Sequence, residues 1–112
     1  MKVMLTIVLN KTSCFDTLLH EFTQHNIYGA TIFESTGMAH ALYQEDEISF
    51  TTAFRMFLNP EREKSKIIFL VTDEDRIPAI SKVVNDVTGG LDKPDTGIMF
   101  AVPVSYVEGL KF

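Results

Sequence analysis

The stretch TGGLDKPDTGIMFAVPV, Thr88 to Val104, gathers residue types that can hold an anion: Thr88, the pair Gly89 and Gly90, Lys93, and Gly97 ahead of an apolar run. Glycines let successive backbone N–H groups point the same way and form an anion-binding concavity. A lysine ammonium adds a strong charged donor for phosphate. The order is not that of a P-loop, because GxxxxGK[ST] is absent and this segment leads from a helix into a strand rather than the reverse. Taken by themselves, the local residues favour a helix C-cap followed by a turn.

Other chemistry has less support. His20 and His25 are not at the i, i+3 or i+4 spacing that puts two ligands on one helix face, and His40 falls in a separate loop. The run Glu45, Asp46, Glu47 lacks the spaced ligands of a calcium loop and reads as a solvated charge cluster. Cys14, the single cysteine, has no local catalytic motif around it and cannot form an internal disulfide. With no nucleophile–base or acid–base signature, the expectation is a binding or regulatory protein rather than an enzyme.

Composition narrows the partners. The 112 residues, 46% of them hydrophobic, suit one domain, 1–112, with a real core. Ten basic against fifteen acidic residues, a formal charge of -5, argue against a broad phosphate-binding face for nucleic acid. The apolar run after Met1 is too short to span a membrane and ends in Asn10 and Lys11, so it reads as a first strand. A cytoplasmic setting without direct membrane insertion is the expectation, and the lone cysteine suits a reducing compartment.

The elements that would position the glycine turn follow from periodicity. Val3 to Leu9 is continuously apolar and predicts a strand buried on both faces. Ser13 to His25 carries Phe15, Leu18, Leu19 and Phe22 at helical spacing, with Ser13 and Asp16 as an N-capping pair. A second strand is predicted at Ala30 to Thr36 after the turn glycine Gly29, and a third at Lys66 to Val71. Asp73, Glu74 and Asp75 then lead into a helix whose inner stripe is Ile77, Ile80, Val84 and Val87, stopped by Gly89 and Gly90. Ile98 to Val104 is the last strand. Between the second and third strands, residues 37–64 form a long excursion in which Phe50, Phe54 and Phe57 suggest a short amphipathic helix ended by Asn59-Pro60.

This βαββαβ order predicts an α+β, ferredoxin-like sandwich with an antiparallel four-stranded sheet. Its helices cover one face only, so the strands of a lone subunit should alternate apolar and polar. VMLTIVL, IIFLV and IMFAVPV do not alternate, which predicts that another subunit covers the second face.

TGGLDKPDTGIMFAVPV also resembles the TGxxGDGxIFVxPV-like segment of the nitrogen-regulatory PII signal-transduction proteins. NIYGATIFESTGM is similar to the GITGMTVTEVKGFG segment that leads into their effector-contacting T-loop. The resemblance implies a homotrimer with sheets facing inward, an adenine nucleotide such as ATP, ADP or AMP between subunits, and a protein target met by residues 37–64. It places Thr88, Gly89 and Gly90 at the start of a phosphate loop, Gly97 at its last glycine and Gly37 at the base of the T-loop. The departures are specific. The loop is longer than the family's, its lysine after the last glycine is Ile98 here, and Lys93 is the residue left to supply that charge. Of the positions matching the family's arginines, near Gly109 to Lys111, only Lys111 is basic. No glutamine for 2-oxoglutarate and magnesium follows Gly37, and no uridylylation is expected at Tyr43. Phe50, Phe54, Met56 and Phe57 are expected to pack on a neighbouring subunit. Two alternatives remain: a CutA-type trimer using His20, His25, His40 and the acidic loop for metal, and a purely structural or interaction trimer.

Overall fold

The computed structural model describes residues 1–38 and 64–110. The excursion's aromatic segment, His40, Tyr43, Glu45 to Glu47 and Lys111 therefore lie outside the described residues. Strand β1 runs Lys2–Leu9, helix α1 Phe15–Gln24, β2 Thr31–Ser35, β3 Ser65–Asp73, α2 Ile77–Thr88 and β4 Gly97–Pro103. The strands form one antiparallel sheet in the order β2-β3-β1-β4, with β1 and β3 central. Among the described residues, two helices and a four-stranded antiparallel sheet make a small α+β fold consistent with the ferredoxin-like arrangement.

Alternation along β1 divides the two faces. Leu5, Ile7 and Leu9 join Ile68 and Leu70 of β3 in a core closed by Leu18 and Phe22 of α1 and Ile80, Val83 and Val84 of α2. Each such buried aliphatic side chain contributes roughly 1.5–3 kcal/mol relative to exposure. Ile77 and Val87 are only partly buried, whereas Val83, absent from the expected stripe, is 6% exposed and belongs to the core.

The opposite face is apolar, and among the described residues no element covers it. Met4, Thr6 and Val8 of β1 stand opposite Val71, Phe69 and Ile67 of β3 and opposite Val102, Phe100 and Ile98 of β4. Phe33 of β2 extends the patch and meets Phe69 edge to face, ring centroids 6.0 Å apart. Ile98, Phe100, Val102 and Phe33 are 59%, 45%, 40% and 48% exposed. The unalternating strands thus put one apolar set in the core and the other on the opposite face, which the described residues leave open.

Thr6, 8% exposed, sits at the centre of that patch, and its hydroxyl has no hydrogen-bond partner among the described residues. A buried donor left unmatched costs about 1–3 kcal/mol. Thr6→Val keeps the branched shape and removes the hydroxyl, so it should raise the thermal midpoint by several degrees. A calorimetric scan checks this, and a lower midpoint would mean that the hydroxyl does find a partner in solution.

The entry to α1 differs from the sequence expectation. The chain leaves β1 through a 3-10 turn, Thr12–Cys14, so Cys14 is the N-cap and makes no side-chain capping bond. The Ser13–Asp16 pair does not form because its would-be cap residue lies inside this turn. The turn follows from the N–H groups of Asn10 and Lys11, which both donate to the Thr96 carbonyl at 2.9 and 3.0 Å and fix the direction of the chain. A second 3-10 turn, Glu74–Arg76, precedes α2, with Asp73 closing β3 rather than opening the helix. Pro78 falls in the first turn of α2, where its missing N–H is harmless.

Candidate functional site

The glycine turn, the end of β1 and the base of the excursion share one end of the sheet. Leu9 is paired with both Gly97 and Lys66, and Ser35 with Ser65, so residues 10–11, 36–38, 64–65 and 89–96 all emerge there. Hydrogen bonds tie them together. The Ser65 hydroxyl donates to Asn10 Oδ1 at 2.5 Å, the Ser35 hydroxyl to the Ser65 carbonyl at 3.4 Å, and Lys11 Nζ to the Thr88 carbonyl at 3.0 Å.

Within the turn, Gly89 has φ 88° and ends α2 as a left-handed cap, its N–H donating to the Asn85 carbonyl. Thr88 is buried, giving its hydroxyl proton to the Val84 carbonyl and accepting from the Gly90 N–H. The Leu91 N–H reaches Asn85 Oδ1 at 2.8 Å, and the Lys93 N–H reaches the Gly90 carbonyl at 3.1 Å. Four N–H groups of the turn therefore already have acceptors inside it. An anion at this place is met by side-chain cations more than by an open nest of amides.

The predicted site residues divide accordingly. Thr88, Gly89, Gly90 and Gly97 belong to this knitted junction, and Lys93 stands exposed on the turn, its Cγ 3.7 Å from where a Gly90 Cβ would lie. Gly37 lies past the end of β2, and no atom of the described residues lies within 4 Å of where its Cβ would be. Lys11 and Asn10, singled out by no local motif, are the additions; Lys11 lies 77 positions from the carbonyl it binds. Their only sequence signal is a polar pair closing an apolar run.

Charge pairs steady the excursion's base. Lys66 reaches Glu34 at 2.9 Å and stands 5.1 Å from the Phe15 ring centroid, and Lys64 approaches Glu34 at 3.6 Å. The hydrogen bond and charge of Lys66, with the charge of Lys64, hold the Glu34 carboxyl below its ordinary pKa. At the other end of the sheet Lys2 does the same to Asp73. These pairs are exposed and contribute little individually.

A separate groove of about 580 Å³ runs between α1 and α2, with Ala79, Val83 and Val87 as its floor and Glu21, His25, Lys82 and Asp86 on its rim. Asp86 is engaged by Lys82 at 2.8 Å, and His25 Nδ1 lies 2.8 Å from the Glu21 carbonyl. Among the described residues no group of three His, Cys, Asp or Glu is placed to hold a metal ion. No helix among them is long and apolar enough to cross a membrane.

Fold and site thus define a small α+β protein with an apolar sheet face that the described residues leave uncovered and a glycine turn at one sheet end. No known family profile and no curated protein matches the chain. Among solved structures it is similar to a protein of unknown function from Pediococcus pentosaceus ATCC 25745, at 14% identity and a TM-score of 0.61, over 96% of this chain and 95% of that one. That likeness speaks for the fold alone.

Proposed function

We propose that this chain is a PII-like regulatory subunit that forms a homotrimer through its uncovered sheet face. It senses a small anionic ligand, such as an adenine nucleotide, at the glycine turn and signals to a protein target through residues 37–64. The observation that carries this reading is the junction at one sheet end. The glycine turn and the base of the excursion are joined there through Thr96, Asn10 and Ser65, so a ligand on the turn acts on the residue from which the excursion returns. The apolar face supports assembly, since exposed patches of this kind mark association surfaces. Ordering of a segment by ligand is the coupling such an arrangement performs.

Calorimetric titration with ATP, ADP, AMP and cyclic nucleotides tests the sensing part, and sedimentation tests the trimer. Saturable binding of one nucleotide by a trimer is the expected result; a trimer that binds none favours the second reading, a purely interacting assembly. The internal satisfaction of the Gly89, Gly90, Leu91 and Lys93 N–H groups is the observation on that side.

A further inference from the structure

We infer that Lys11 is the principal cation of the anion site, a role that rests on the proposed sensing function and that neither the glycine turn's motif nor the family resemblance assigns. The turn's own amides are largely used, so the charge of a bound group must be met by side chains. Two lysines border the glycine pair. Lys11 Nζ stands 3.9 Å from where a Gly89 Cβ would lie, and Lys93 Cγ stands 3.7 Å from the corresponding point at Gly90.

The two are not equivalent. Lys93 rides on an exposed turn, and its side chain has no hydrogen bond or ion pair with any described residue. Lys11 is anchored, because its backbone N–H is held by Thr96 and its ammonium by the Thr88 carbonyl at 3.0 Å. An ammonium carries three donors, so two remain for a ligand once the Thr88 carbonyl has taken one. A cation already positioned loses less freedom on binding than a free one.

The Asp92 Oδ1 lies 2.5 Å from the position a Gly90 Cβ would take, so a carboxylate shares this turn and opposes any anion there. Binding therefore needs the ammonium groups to outweigh it, which a di- or triphosphate achieves best because its successive phosphates can span the distance between the two lysines. Lys11 also links such a ligand to the excursion through its neighbour Asn10 and Ser65.

The test titrates the full chain with ADP, ATP and inorganic pyrophosphate. Pyrophosphate binding alone identifies the charge of the phosphates as sufficient, and binding of the nucleotides alone shows that the base contributes. Lys11→Gln keeps a donor for the Thr88 carbonyl and removes the charge, so it separates helix capping from anion binding. The expected result is affinity about tenfold to a hundredfold weaker in Lys11→Gln, an unchanged melting temperature without ligand, and recovery in Lys11→Arg. Wild-type affinity in Lys11→Gln overturns the assignment and leaves the sensing function standing. Failure of all three probes to bind the wild-type chain overturns the sensing function, and the role of Lys11 with it.

Discussion

Glutamate in place of Phe100 should leave the chain folded and separate the proposed trimer. Phe100 lies on the uncovered face, opposite Thr6 and across it from Phe69, and is 45% exposed. In a lone subunit a glutamate at that position reaches water from the edge strand β4, so its folding cost is about 1 kcal/mol or less. In a trimer built on this face the same carboxylate is taken out of water without a partner, at several kcal/mol for each subunit. Symmetry also brings like charges towards one another. The two effects together weaken association by about a thousandfold or more. Sedimentation velocity at micromolar concentration should show the wild-type chain as a trimer and Phe100→Glu as a monomer, with matching far-ultraviolet circular dichroism. An unchanged sedimentation coefficient in the variant would move the assembly surface away from the sheet.

How much of this could be read from the sequence depends on the range of the interaction concerned. VMLTIVL is legible as a strand because a central strand of a sheet with two apolar faces needs branched apolar residues at every position. The structure resolves that run into Leu5, Ile7 and Leu9 for the core and Met4, Thr6 and Val8 for the open face. Strand order is consistent with the element order, since the right-handed crossovers through α1 and α2 leave few alternatives. Gly89 as the end of α2 is equally legible, because a left-handed cap is a local requirement.

What escaped is tertiary. The capping pair Ser13–Asp16 satisfies the local rule but yields to two hydrogen bonds from Asn10 and Lys11 to Thr96, far along the chain. Val83 escaped because an i, i+3, i+4 count centred on Ile80 and Val84 leaves its neighbour ambiguous, and only the packing of α1 decides it. The residues of the glycine turn were legible by type. The use of their N–H groups was not, because Asn85, six residues before Leu91, takes one of them with its side chain. Lys11 could not be found by any local pattern.

Alanine at Gly97 should unfold the chain more readily than it impairs any ligand contact, which separates the two roles that this glycine could have. Its φ of 149° lies where side chains other than hydrogen are strained, and an added Cβ would overlap the Val8 carbonyl oxygen and lie 3.3 Å from Leu9 Cα. Both neighbours are backbone of the central strand β1, so neither can rotate away. Relief requires β4 to separate from β1 at the Leu9–Gly97 pair, where Thr96 also receives the two N–H groups that hold Asn10 and Lys11. The expected loss is about 2–4 kcal/mol, seen as a thermal midpoint lower by roughly ten degrees or more. Measured below that midpoint, the remaining folded fraction should bind nucleotide with its affinity reduced only as far as Lys11 is displaced. A variant that melts like the wild-type chain but loses nucleotide binding would instead assign Gly97 to the ligand, as the resemblance to PII proteins implies. A variant that loses stability while Lys11→Gln alone loses affinity assigns the glycine to the close approach of two strands and the anion to the lysine beside it.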